Sequence, residues 1–169
     1  SIYEGGHRVP FVARWPGKIK PGSVSDATFC LNDLIATCAE IVGTKLPDNA
    51  GEDSVSILPI LQGTADGTAR EAIIHQSPGR DLAIRQGPWK LIFFNNGSRE
   101  LYNLQDDLSE TKEVSGANPQ VVDRLTTLMR RYIADGRSTP GMPQKNDSPM
   151  SIDDPSSGKN KKNRKANEQ

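Results

Sequence analysis

Cysteine is nearly absent. Cys30 and Cys38 are the only two in 169 residues, too few for a disulfide scaffold or a cysteine-only zinc site. Histidine is equally scarce, and His7 and His75 lie far apart with no i, i+4 or similar spacing, so the pattern gives no reason to expect a zinc centre. No apolar run approaches 18 residues, which excludes a membrane-spanning helix. No glycine-rich loop of the Walker or dinucleotide type occurs, and Glu4-Gly5-Gly6 precedes an extended stretch rather than opening a helix. Net charge is also missing, with 21 Lys+Arg against 21 Asp+Glu.

The charges that are present are unevenly placed. Residues 1–135 carry 14 basic and 17 acidic side chains, a net of −3, while residues 136–169 carry 7 and 4, a net of +3. A slightly acidic body argues against a nucleic-acid partner. Residues 136–169 contain four apolar side chains in 34 (Met142, Met150, Ile152, Ala166), too few for a core, so the folding part is expected to end near residue 135. The sequence opens on Ser1 rather than Met, with no charged segment and apolar core behind it, a start that processing or truncation would produce.

Within 1–135 the elements read in order. Val9-Pro10-Phe11-Val12-Ala13 is short, apolar and β-rich, and predicts a strand with Pro10 near its start. Trp15-Pro16-Gly17 and Pro21-Gly22 break it. A helix follows, with Asn32 as N-cap, Asp33 in the first turn, Gly43 as the closing residue, and Leu34, Ile35, Cys38, Ile41 and Val42 as its core stripe. Residues 44–70 predict loops around one short helical turn within Val55–Leu61. From Glu71 the pattern alternates, giving strands at 72–75, 82–85, 89–94 and 100–104. The turn signals Ser77-Pro78-Gly79, Gly87-Pro88 and Asn95-Asn96-Gly97 separate them, so an antiparallel meander is expected. Asn118-Pro119 starts a last helix whose stripe runs from Val121 to Ile133 and which stops at Gly136. It should cover the one apolar face of the sheet.

Few residues suggest chemistry. Both cysteines read as small core residues. Asp106-Asp107 with Glu110 reads as a solvated turn and helix start rather than a metal site. His75, at a strand end beside a turn, is the one candidate pocket residue, set against a purely structural imidazole. Lys159, Lys161, Lys162, Arg164 and Lys165 form a basic run without aromatics, either a solvated, disordered end or a weak anion-binding segment.

Several of these stretches together resemble a known family. Tyr3-Glu4-Gly5-Gly6-His7-Arg8-Val9-Pro10 with Arg14-Trp15-Pro16-Gly17 resembles the Y-E-G-G-x-R-x-P…W-P-G stretch of type I sulfatases. Asn32-Asp33-Leu34 through Gly43, Ser54–Leu61, Gly87-Pro88-Trp89-Lys90-Leu91-Ile92 and Glu100-Leu101-Tyr102-Asn103-Leu104 follow in the family's order. The resemblance covers residues 1 to about 135.

It implies an α/β parent of the alkaline-phosphatase-like fold. This chain would be an α+β part of it, a four-stranded antiparallel sheet packed on one long C-terminal helix, preceded by an edge strand and helix of the large domain. The implied divisions are 1–50, the end of the catalytic domain; 51–70, a connection; 71–136, the antiparallel subdomain; and 137–169, a disordered basic tail. Sulfatases cleave sulfate esters with a formylglycine nucleophile made from Cys or Ser in C/S-x-P-S/A-x-R, and with a divalent cation, usually calcium. Neither Cys30-Leu31-Asn32-Asp33 nor Cys38-Ala39-Glu40-Ile41 fits that motif, and Ser77-Pro78-Gly79-Arg80 has the wrong spacing. No catalytic residue and no metal ligand is therefore assigned here. Calcium and formylglycine are implied for the parent only. The chain is expected to complete the fold and wall the substrate pocket, with His75 as substrate-binding candidate and an upstream catalytic region as partner. Family members are commonly exported. The alternative is a non-catalytic module binding anions or glycans through the basic tail.

Overall fold

A computed structural model describes residues 1–67 and 70–153. They form two compact units. One joins Ser1–His7, Ile74–Ala134 and the residues from Lys145 onward, and the other joins Arg8–Ile73 with Asp135–Gln144. The basic run at 159–165 lies outside the described residues.

The first unit is built on the expected meander. Strands β1 (Ile73–Gln76), β2 (Leu82–Gln86), β3 (Trp89–Phe93) and β4 (Arg99–Asn103) lie side by side in chain order. The β2–β3 and β3–β4 pairs are antiparallel. Gly87 and Gly97 turn these hairpins at φ 57° and 88°, a region where a Cβ is strained. Because side chains alternate across a strand, the register puts Ile84, Leu91 and Leu101 on one face and Ala83, Lys90, Ile92 and Tyr102 on the other.

Both faces are covered, where one apolar face was expected. Helix α3 (Pro119–Asp135) turns Leu125 and Met129 inward and leaves Arg124, Arg130 and Arg131 in water. It packs on the Leu91 face, where Arg99 of β4 donates to the Thr126 hydroxyl at 3.4 Å. Each buried Leu or Met there contributes about 1.5–3 kcal/mol. The opposite face is capped by the start of the chain. Ile2 clusters with Ala83, Ile92, Tyr102 and Leu104, and the Tyr3 and Tyr102 hydroxyls both donate to Glu100 Oε2, at 2.9 and 2.7 Å. Burial and that carboxylate push both phenols upward.

The second unit departs further from expectation. Residues 9–13 form no strand, because a strand needs a hydrogen-bonded neighbour and the described residues supply none. Helix α1 (Asp33–Ile41) forms where expected, yet it buries Asp33 and Thr37 and leaves Leu34, Ile35, Cys38, Ile41 and Val42 exposed. Its inner contacts are polar. Asp33 Oδ1 accepts the Val55 N–H at 2.8 Å, the Thr37 hydroxyl accepts the Ile57 N–H at 3.0 Å, and Arg70 pairs with Asp33. Those bonds tie α1 to the 53–57 segment and to α2 (Leu58–Leu61), so the apolar stripe points outward. Cys38 is thus a surface residue and not core.

The Asn32 side chain does not cap α1 either. It bonds Cys30 and the Asp53 carbonyl, while Asp33 Oδ2 accepts the Cys30 N–H at 2.9 Å. Cys30 is half-buried, and burial pushes its thiol up to about 12. In the same unit, buried Arg137 bonds Asp48 and the Met142 carbonyl.

Candidate functional site

The densest polar cluster gathers at the N-terminal turn of the first unit. Glu4–Gly6 forms a single 3-10 turn, and glycine is needed at position 6 for room. A Cβ there would lie 2.6 Å from the Ser1 carbonyl oxygen. This tight corner buries the Glu4 side chain over the sheet, directly above Lys90 of β3.

Lys90 is wholly buried. Its Nζ lies 3.1 Å from Glu4 Oε1 and 2.8 Å from Glu110 Oε1, the latter an ion pair off the hydrogen-bond direction. Stripping a lone ammonium of water costs several kcal/mol, and two carboxylates offset that cost. Glu110 also accepts the Glu4 backbone N–H, so it clamps the turn as well as the lysine. It holds φ at 53° to do so, a left-handed conformation that a non-glycine residue keeps only where its surroundings enforce it. Glu110 is therefore an inward-facing structural acid, not part of a solvated turn. Asp107 does sit in an exposed turn, accepting the Thr111 and Lys112 N–H groups.

His7 and His75 meet beside this cluster. Their rings stack at 3.8 Å with 24° between planes, and His7 Nε2 lies 2.9 Å from Glu4 Oε1. Arg85 lies 3.4 Å from the other Glu4 oxygen. Burial raises the Glu4 carboxyl pKa, but Lys90, His7 and Arg85 outweigh it and hold the group below its usual range. Burial, with help from the charges of His7 and Lys90, lowers His75 to about 4, so its ring is neutral near pH 7.

His75 thus sits where the sequence left it, at a strand in a half-buried niche. His7 is a partner that sequence reasoning missed. Lys90 was legible in one respect: it stands at an inward position of the apolar run Trp89–Phe94, and a lysine there needs buried acids.

Glu4, His7 and His75 place one donor atom each within 4.8 Å of one another. Lys90 and Arg85 already neutralise that carboxylate, so Glu4 is engaged in ion pairs with those two cations. Calcium prefers six to eight oxygen ligands, and this is the one cluster of three or more candidate ligands among the described residues. With two nitrogens and a carboxylate already engaged, it does not fit calcium. Nor does either cysteine fit a formylglycine, Cys30 being followed by Leu-Asn-Asp and Cys38 by Ala-Glu-Ile.

The model of the N-sulphoglucosamine sulphohydrolase C-terminal family matches residues 1–137. The chain belongs to the sulfatase family. It corresponds to the C-terminal portion of a sulfatase and spans about 28–31% of the length of the curated sulfatases it matches. It is 36% identical over 144 residues to an N-acetylgalactosamine-6-O-sulfatase of Bacteroides thetaiotaomicron, which covers 76% of this chain and 28% of that protein. Human arylsulfatase A is 31% identical over 158 residues, covering 76% of this chain and 31% of that enzyme. A structure from work on glycosaminoglycan metabolism by Bacteroides thetaiotaomicron superposes at TM-score 0.69 with 35% identity, over 78% of this chain and 30% of the other. Another, solved with D-glucosamine-2-N,6-O-disulfate bound, gives 0.59 at 25% identity, over 70% of this chain and 26% of the other. The sulfatase portion seen here is α+β, its antiparallel sheet packed on α3 as the resemblance implied. No helix among the described residues is long and apolar enough to cross a membrane.

Proposed function

We propose that this chain completes a sulfuric ester hydrolase whose nucleophile and metal ligands lie in a preceding catalytic region. Its own part is to finish the fold and wall the substrate pocket. The observation that carries this reading is the family match over residues 1–137, combined with a span of under a third of the relatives' length. The exposed apolar stripe of α1 supports it, because a surface of that kind marks an interaction site.

His75 is the residue we assign to the pocket. A neutral imidazole can both donate and accept a hydrogen bond, as a hydroxyl-bearing ester requires. Its stack on His7, itself held by Glu4, fixes the ring without charging it. The parent's calcium and formylglycine would supply charge stabilisation and the activated nucleophile. In this portion the Glu4–Lys90–Glu110 cluster does the orienting.

The test is sulfate release by the intact polypeptide from an aryl sulfate and from N-acetylgalactosamine 6-sulfate, the latter chosen from the relative's name. His75→Ala should raise KM more than it lowers kcat. An unchanged KM removes His75 from the pocket, and absence of turnover on any sulfate ester contradicts the reading as a whole.

A further inference from the structure

Residues 145–153 lie beyond the stretch that the family model matches, yet they fold back onto the first unit. They form neither helix nor strand, so side chains hold them in place. Asn146 Nδ2 donates to the Ile133 carbonyl at 2.7 Å. That carbonyl is one of the last four of α3, which lack an intrahelical partner.

Further on, Asp153 reaches two arginines that stand in different layers. Its Oδ2 accepts the Arg130 Nε–H at 2.9 Å and its Oδ1 accepts the Nη2–H at 2.7 Å, a two-pronged pair. Arg99 Nη2 lies 3.5 Å from the same Oδ1. Arg130 belongs to α3 and Arg99 to β4. Arg99 is held independently, with its guanidinium 5.3 Å over the Phe93 ring and a hydrogen bond to Thr126 of α3. One carboxylate thus bridges helix and sheet.

Just ahead of it, Ser151 and Ile152 line a niche with Leu82, Phe93, Phe94 and Gly97, of which only about 20 Å³ stays open. Leu82 and Phe93 are paired across β2 and β3, and alternation puts Phe93 on the Leu91 face. Ile152 therefore extends the cover that α3 gives this face.

We propose that residues 145–153 are a strap that staples α3 to the sheet, clasped by the Asp153 carboxylate and seated by Ile152. The clasp is releasable. Arg130 and Asp153 are each about half exposed, 53% and 51%, so salt screens their attraction.

The test is native trypsin digestion of the intact polypeptide, with cleavage after Lys145 followed by mass spectrometry and scaled to the heat-unfolded protein. Cutting there needs the strap to lift off, and its rate follows the open population. Asp153→Ala should speed that cut about fivefold. Arg130→Gln should act similarly, and the two changes together should add little, because both break one contact. Sodium chloride at about 1 M should speed the wild type by a similar factor and leave Asp153→Ala unchanged. Amide exchange at residues 128–132 should quicken in both variants, which a strap with no hold on α3 would not produce. A wild-type cleavage rate in Asp153→Ala, or fully additive single changes, overturns the carboxylate clasp. Faster cutting with unchanged exchange in α3 overturns the staple.

Discussion

Acid should loosen the N-terminal corner through His75. Its imidazole titrates at about 4 in the folded chain against an ordinary 6.5, with burial the main cause and His7 and Lys90 adding to it against Glu4. The neutral ring is the one the fold accommodates. Between pH 6.5 and 4 the unfolded chain binds a proton that the folded chain refuses, so stability falls as pH drops through that window and is unaffected above it. At about 1.4 kcal/mol per pH unit, the ceiling is about 3 kcal/mol. The ring is partly exposed, and screening by water reduces this to about 1–2 kcal/mol. Urea unfolding of wild type and His75→Gln at pH 7 and pH 4 measures it. The wild type should lose about 1–2 kcal/mol more than the variant on acidification. An NMR titration of the ring should centre near 4. Parallel stability losses, or a midpoint at 6.5, would refute the burial argument.

Two further outcomes follow, one from each unit. Lys90→Met leaves Glu4 and Glu110 facing each other without their ammonium and should cost about 3–5 kcal/mol by denaturant midpoint. Adding Glu110→Gln should recover part of that, and a loss under about 1 kcal/mol would show that the ion pairs are not structural. In the 169-residue chain at pH 8, iodoacetamide should label exposed Cys38 and spare Cys30, whose thiol titrates near 12. Equal labelling would contradict the buried, acid-flanked setting of Cys30.

What the sequence disclosed was local. The four strands were legible because alternation and the Gly87-Pro88 and Asn95-Asn96-Gly97 turns act within a few residues. Helix α3 was legible because its start, stripe and stop lie in one 19-residue stretch, from Asn118 to Gly136. The misses all depend on distant partners. Glu4 meets Glu110 across 106 positions, and His7 meets His75 with no shared spacing to signal it. Periodicity located α1 correctly but not its inward side, because Asp33 and Thr37 are drawn in by the 53–57 backbone. Val9–Ala13 was read as a strand from composition, whereas a strand exists only when paired.

The most direct measurement of the central claim compares inorganic sulfate released by the 169-residue chain alone with that released by the intact polypeptide, on the same sulfate ester with calcium present. The account predicts turnover from the intact polypeptide and none above buffer from the chain. Sustained, enzyme-proportional sulfate release by the purified chain itself would contradict it.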